Sequence, residues 1–214
     1  MTNAVTLAGK AAAIKLENLD TDQIIPKQFL RGIDKAGLAD GILYDHRFDA
    51  TGKPRKDFVL NQPAYAGTRI LVGGANFGCG SSREHAVWGL QQFGIDAIIA
   101  PSFGEIFYSN AMNNRLLLVM LPRDVVERLM AYVDADSDNV ITIDLERRCV
   151  SSPLGEHTFD LSPRHQSMFL EGLDMIGLSL KEQGSIESFI DAYWSKYPWT
   201  KNVARSTRDR LGTT

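Results

Sequence analysis

The sequence predicts an α/β fold with a mixed sheet and flanking helices, and three observations support this class. Short apolar runs alternate with segments whose apolar residues recur at helical spacing. Residues 140–161 divide into short pieces typical of antiparallel strands. The chain has 214 residues and is 44% hydrophobic, which is enough to bury a sizeable core.

The middle of the chain contains the alternating part of this pattern. Strands are predicted at the short apolar runs, residues 69–72, 96–100 and 115–121. Helices are predicted at the segments with helical spacing, residues 84–93, 102–113 and 122–133. Ser102 with Glu105 forms a capping-box pattern, and Pro122 suits the start of a helix.

The later part of the chain is predicted to add an antiparallel section and two helices. The antiparallel strands are residues 140–145, 148–151 and 157–161. Ser162 and Pro163 have the pattern of an N-cap followed by the first helical residue, and Gly172 ends that helix. A last helix with one apolar face is predicted at residues 185–197.

The most specific feature is the turn ANFGCGSSREH at residues 75–85, between a predicted strand and a predicted helix. Ser81 and Glu84 fit a capping box, which would place the N–H groups of residues 82–84 at the positive end of the helix. Arg83 adds a planar fork that can hold a carboxylate by two hydrogen bonds. The turn therefore suits a small carboxylic acid or a phosphate.

A purely structural interpretation of these residues stays open. Gly78 and Gly80 can serve only to allow a positive φ, and Ser81 can be an ordinary N-cap. Arg83 and His85 can be solvated residues of the first helical turn. Other chemistries are weakened, because the chain has neither a GxxxxGK[ST] nor a GxGxxG phosphate loop here, and no GxSxG elbow.

Three blocks of sequence carry a resemblance to a known family. GCGSSREHA in this turn, NLDTDQIIPKQFL at residues 18–30 and APSFGEIFYSNAMNNRLLLV at residues 100–119 resemble the small subunit of isopropylmalate isomerase, also called 3-isopropylmalate dehydratase. More widely, the chain resembles the C-terminal swivelling β/β/α domain of the aconitase superfamily. With DFVLN at residues 57–61, the likeness spans about residues 5–195.

The resemblance implies a reaction and roles for the turn. Family members remove water from a hydroxy-diacid and add it back with the hydroxyl on the neighbouring carbon. Ser81 matches the serine that acts as the base, Arg83 the arginine that binds a substrate carboxylate, and Ser82 a residue that donates to that carboxylate or supports the turn. A serine hydroxyl is a weak base, so backbone donors, a helix terminus and a guanidinium must stabilise its alkoxide.

The family also uses a [4Fe–4S] cluster, whose open iron takes the hydroxyl. Such a cluster needs more protein thiolates than Cys79 and Cys149, the two cysteines of this chain, can supply. We therefore expect no metal or cofactor on this chain and a cluster on a separate large subunit, in a heterodimer or higher heteromer. The other expected partner is the small dicarboxylate substrate.

Composition argues against two further classes of partner. The formal net charge of −3 gives no basic field for nucleic acid or an anionic membrane surface. No stretch is apolar over the length of a membrane span, and the N-terminal segment lacks a charged region followed by an apolar core. We therefore expect a cytoplasmic protein that binds neither nucleic acid nor membrane.

The remaining polar residues are assigned supporting or structural roles, as are Gly78 and Gly80 of the turn. His85 is expected to orient Arg83 or to cap neighbouring carbonyls, and Cys79 to be a turn residue that oxidises readily. The other histidines show no metal-ligand spacing: His46, His157 and His165. The aspartates of the DTD sequence are interpreted as local turns: Asp20 and Asp22.

The least regular region is residues 32–66, which glycines and prolines divide into short pieces. The resemblance implies that residues 32–44 approach the substrate, and we expect a lid there. Arg31 or Lys27 is a further candidate for substrate contact, unless neither residue makes one. One domain is expected at residues 1–200, followed by a basic tail that is disordered or lies along the large subunit.

Two classes of function remain. The first is the catalytic subunit of a two-chain hydro-lyase that isomerises 2-isopropylmalate and 3-isopropylmalate through 2-isopropylmaleate in L-leucine biosynthesis. Homoaconitate, citraconate or dimethylmaleate hydration would use much the same turn. The second class is a non-catalytic module that binds a carboxylate. A binder needs Arg83 but no base, so the presence of both Ser81 and Arg83 favours the enzyme.

Overall fold

The computed structural model describes residues 5–30 and 36–212. The chain forms two compact units, the first ending at Asp174 and the second beginning at Met175. The strands of the first unit are β1 (Thr6–Ile14), β2 (Ile70–Gly73), β3 (Ala97–Ala100), β4 (Leu117–Met120), β5 (Val140–Asp144), β6 (Cys149–Ser152) and β7 (Gly155–Thr158). Its helices are α1 (Thr21–Ile24), α2 (Tyr44–Arg47), α3 (Glu84–Phe93), α4 (Glu105–Asn113), α5 (Arg123–Ala135) and α6 (Pro163–Glu171).

The described strands form one mixed sheet in the order β4-β3-β2-β1-β5-β6-β7, which confirms the predicted class. Strands β1 to β4 are parallel, whereas β5, β6 and β7 pair antiparallel. Strand β1 joins the two parts, because residues 11–14 pair with β2 and residues 6–10 pair with β5. This joining strand is absent from the predicted elements.

The core lies on the parallel part of the sheet. Every residue of β2 and β3 is buried, as expected of parallel strands covered on both faces. Helix α5 packs against β1, β2 and β3, and α3 packs against α4 and the 3-10 turn Leu38–Gly41. The continuous apolar runs that predict β2, β3 and β4 therefore follow from burial on two faces.

Two predicted capping boxes are wrong. Helix α3 begins at Glu84 with Arg83 as its N-cap, so Ser81 lies before the helix. Helix α4 begins after Gly104, and the Oγ of Ser102 instead accepts a hydrogen bond from the N–H of Asn76 at 2.8 Å. Ser81 and Ser102 thus form contacts with distant segments and do not cap the helices that follow them.

The cap of α6 is confirmed. The Oγ of Ser162 accepts a hydrogen bond from the N–H of His165 at 3.2 Å, Pro163 is the first helical residue, and Gly172 ends the helix in the left-handed conformation. Sequence therefore located this helix correctly because its caps are local.

Three apolar residues of the expected lid are built into the core. Leu38, Ile42 and Leu43 are at most 2% exposed. The N–H of Leu38 donates to Oε1 of Gln92 on α3 at 3.1 Å. Residues 38–43 are therefore anchored, while the earlier residues 31–35 lie outside the described structure.

The second unit consists of the helices α7 (Met175–Leu180), α8 (Gln183–Lys196) and α9 (Val203–Leu211). None of these helices has a buried residue. Helix α8 matches the predicted last helix, whereas α9 and the division after Asp174 differ from the expected disordered tail and the boundary at residue 200. Residues 203–211 contain neither glycine nor proline and are followed by Gly212, which is consistent with a helix that ends there.

The pH dependence of stability is expected to include His165 on α6. Its Nδ1 is buried without a hydrogen-bond partner among the described residues, and burial lowers its pKa, with the charge of Arg164 acting in the same direction. The unfolded chain then binds the proton more tightly than the folded chain. We expect the free energy of unfolding to fall as the pH drops below about 6.5. Urea denaturation should show that this free energy falls less with decreasing pH in His165→Gln. An unchanged pH dependence in that variant would contradict this role.

Candidate active site

The candidate site lies at one edge of the sheet, where the segments that follow β1, β2 and β3 meet. Asp20 pairs with Cys79 and Phe77 with Phe103 in short parallel bridges. Backbone hydrogen bonds join the segments: the N–H groups of Thr21, Gly78 and Gly104 donate to the carbonyls of Cys79, Leu19 and Phe77 at 2.9, 2.7 and 2.9 Å. Ligands of open α/β sheets bind at the carboxyl ends of the strands, and this edge is of that kind.

Glycines determine the path of the turn. Gly78 has φ +74°, and a Cβ on it would lie 2.2 Å from the ring of Phe107. Gly80 has φ +97°. A Cβ on Gly104 would lie 2.6 Å from the carbonyl oxygen of Gly78. The expected supporting role of Gly78 and Gly80 is therefore a backbone requirement.

The hydroxyl of Ser81 is exposed and has a cationic neighbour. Nε of Arg83 donates a hydrogen bond to Oγ of Ser81 at 3.0 Å. Thr21, which is 1% exposed, donates from Oγ1 to the Ser81 carbonyl at 2.9 Å, and its Oγ1 lies 3.3 Å from Ser81 Oγ. A guanidinium that donates to this oxygen favours its ionised form.

The guanidinium of Arg83 is also paired with a carboxylate. Its side chain is 15% exposed, and Nη1 forms an ion pair with Oδ1 of Asp22. The same Nη1 is buried, and the contact is ionic without the alignment of a hydrogen bond. Nε thus contacts Ser81 and Nη1 contacts Asp22, whereas Nη2 makes no hydrogen bond to a described residue. The expected fork for two parallel bonds to a substrate is therefore partly occupied.

The other predicted site residues lie around this centre in different environments. Ser82 is exposed beside Arg83. The ring of His85 packs edge-on against Trp88 with the centroids 4.9 Å apart, and its expected role of orienting Arg83 or capping neighbouring carbonyls stays a prediction. Lys27 is exposed on a 3-10 turn, and Arg31 lies outside the described residues.

Sequence reasoning missed Thr21 and Asp22 as members of the site. Asp20 does cap a local helix, because its Oδ1 accepts the N–H of Gln23 at 2.7 Å. Asp22, however, contacts Arg83 across the site. One signal could have found these residues. The DTD block and the glycine turn each follow an apolar run, and segments that follow parallel strands meet at one edge of an α/β sheet.

No metal-binding group is evident in the part of the chain that the structure describes. No cluster of three or more histidine, cysteine or acidic side chains there could hold an ion. Cys79 is half-buried with its Sγ 3.4 Å from the Asn18 carbonyl, and Cys149 is buried in β6. Each described helix is too short or too polar to cross a membrane.

Comparison with known proteins identifies the class of this fold as the aconitase C-terminal domain. The sequence profile of the aconitase C-terminal domain matches residues 1–124. A crystal structure of 3-isopropylmalate dehydratase from Methanocaldococcus jannaschii superposes with a TM-score of 0.61 at 28% identity, covering 86% of this chain and 98% of that one.

Relatives narrow the class further. The chain is 58% identical to a 3-isopropylmalate dehydratase small subunit 1 of Chromobacterium violaceum, over 99% of this chain and 100% of the relative. It is 46% identical to a 3-isopropylmalate dehydratase small subunit of Phenylobacterium zucineum, over 92% and 97%. The chain therefore belongs to the family of 3-isopropylmalate dehydratase small subunits, and the resemblance expected from its sequence blocks is confirmed.

The requirement for glycine at position 78 generates a prediction about stability. Gly78→Ala combines a positive φ with a clash against Phe107, so we expect it to lower the free energy of unfolding by about 3 kcal/mol or more. Gly67→Ala is the matched control: Gly67 has φ +78° and nothing within 4 Å of its Cβ position. The control should cost about 1 kcal/mol. Equal losses in urea denaturation would show that the clash is absent.

Proposed function

We propose that this chain is the small subunit of a two-chain hydro-lyase that interconverts 2-isopropylmalate and 3-isopropylmalate in leucine biosynthesis. The reaction passes through 2-isopropylmaleate by loss and return of water. Family membership supports the reaction, and the contact between Nε of Arg83 and Oγ of Ser81 supports the part assigned to this chain.

Ser81 acts as the base in this proposal. Its Oγ, as the alkoxide, takes the proton from the substrate carbon next to a carboxylate and returns a proton during rehydration. Arg83 stabilises the negative oxygen through Nε, and the Thr21 hydroxyl holds the Ser81 backbone in place. Asp22 fixes the guanidinium from its other side. The chain thus supplies a general base whose ionised form has a charged hydrogen-bond donor.

Arg83 also contacts a substrate carboxylate in this proposal. Because Nη1 pairs with Asp22, the carboxylate either binds through Nη2 or displaces Asp22 from the guanidinium. The exposed Ser82 and the N–H groups at the start of α3 offer further donors in the same turn. Lys27 or Arg31 stays a candidate for an additional contact.

The iron–sulfur cluster of this chemistry belongs to a large subunit. Two cysteines cannot ligate it, and the buried Cys149 lies in a strand away from the turn. We infer that the large subunit completes the site in a heterodimer or higher heteromer, and that the isolated chain is inactive. A cytoplasmic location stays a prediction.

The base assignment predicts a large loss of rate for Ser81→Ala. Reconstituted anaerobically with the large subunit, this variant should assemble normally and lose about 10²-fold to 10⁴-fold in kcat with either isopropylmalate. Ser82→Ala removes the neighbouring hydroxyl and should keep kcat within about tenfold while raising KM. Unchanged turnover of Ser81→Ala would reject the base.

Arg83 is proposed to contact both the base Ser81 and a substrate carboxylate, so Arg83→Lys is expected to change both kinetic constants. An ammonium cannot contact Ser81, Asp22 and a carboxylate in one plane, so KM should rise and kcat should fall together. Steady-state kinetics of the assembled enzyme measure both constants. A retained KM would count against the carboxylate contact, and a retained kcat against the contact with Ser81.

A further inference from the structure

The side chain of Asn114, at the C-terminal end of α4, bonds to α3. Its Oδ1 accepts a hydrogen bond from Nε1 of Trp88 at 2.9 Å, and its Nδ2 donates to Oε1 of Glu84 at 2.6 Å. Nδ2 also donates to the carbonyl of Asn110 on α4 at 2.9 Å. The backbone carbonyl of Asn114 accepts from Nε2 of Gln91 at 2.7 Å.

These contacts reach the residue at which α3 begins. Glu84, Trp88 and Gln91 lie on one face of α3, because their spacing is that of successive helical turns. Glu84 is the first residue of the helix, and it directly follows Arg83. Asn114 therefore holds the helix at the end from which Arg83 extends to Ser81.

The chemistry of the contact requires an amide at position 114. The indole N–H of Trp88 is only a donor, and a carboxylate at Glu84 is only an acceptor. An asparagine offers one acceptor and two donor hydrogens, so it satisfies both partners at once. An aspartate of the same size would keep the bond from Trp88 and place a second carboxylate against Glu84.

We propose that Asn114 is a positioning residue of the site. It fixes Glu84, and through Glu84 the N-terminal turn of α3, so that Nε of Arg83 stays directed at Oγ of Ser81. Asn114 touches neither substrate nor base and acts on the rate through this alignment. The inference rests on the proposed function, because alignment of the base matters only if Ser81 performs catalysis.

The test is a cycle of variants in the enzyme assembled with its large subunit. Asn114→Asp should lower kcat by about tenfold or more with little change in KM, because misalignment affects the reacting geometry more than binding. Glu84→Gln with Asn114→Asp restores the bond with exchanged roles, and kcat should return to within about threefold of the unsubstituted enzyme. Glu84→Gln alone completes the cycle.

Asn113→Asp is the matched control, because it introduces the same charge on the adjacent residue. The side chain of Asn113 makes no hydrogen bond to a described residue. This variant should leave kcat within about twofold. Wild-type kcat in Asn114→Asp, or no recovery in the double variant, would overturn the proposal.

A second readout is independent of activity. Amide hydrogen exchange at residues 86–89 of the isolated chain, where the N–H groups of α3 begin to be hydrogen-bonded, should accelerate in Asn114→Asp and recover in the double variant. Unaltered exchange would also overturn the positioning role. Failure of the unsubstituted assembly to convert isopropylmalate would instead overturn the proposed function, and the exchange experiment would still measure the contact.

Discussion

The guanidinium of Arg83 lies between the hydroxyl of Ser81 and the carboxylate of Asp22, and the arrangement of the site depends on this placement. A cation at this point favours a negative oxygen on Ser81, while the carboxylate neutralises the cation and fixes its plane. The same pairing limits how a substrate carboxylate approaches Arg83. In the proposed function, one arginine thereby connects the activation of the base with the binding of the acid.

The sheet makes this placement possible by bringing distant segments to one edge. Strand β1 places the DTD segment beside the glycine turn that follows β2, and the segment after β3 supports that turn from its other side. The left-handed conformation of Gly78 and the close approach of Gly104 allow the backbones to meet. Helix α3 then begins at the residue after Arg83. The chemistry of the site is therefore a product of strand order as well as of the turn's sequence.

Much of the fold could be predicted from the sequence because its signals are local. Strands β2 to β4 are buried on both faces and give continuous apolar runs, and the Ser162–Pro163 cap identifies α6. Strand β1 escaped prediction because its sequence TLAGKAAAI is rich in alanine, a residue uncommon in strands. Its residues 11–14 are nevertheless at most 6% exposed. Pairing with neighbours on both sides outweighs this weak local preference.

In the candidate site, the sequence motif pointed to the central pair of residues and not to the residues that surround it. Ser81 and Arg83 stand in one short motif, so a local pattern sufficed to select them. Thr21 and Asp22 meet that motif from about 60 positions away in the chain, and local turn formation explained the DTD sequence equally well. The predicted helix caps at Ser81 and Ser102 were wrong for a related reason, because a capping box describes one helix in isolation. Contacts between distant segments determine what the side chains of Thr21, Asp22 and Ser102 bind.

The most direct test of the account is the exchange of the substrate proton with solvent. In deuterium oxide, the assembled enzyme should incorporate deuterium at the carbon next to the carboxylate of isopropylmalate, which nuclear magnetic resonance can follow. Incorporation should be lost when Ser81 is replaced by alanine, while substrate still binds. Incorporation at the same rate without the Ser81 hydroxyl would contradict the role of Ser81 as the base.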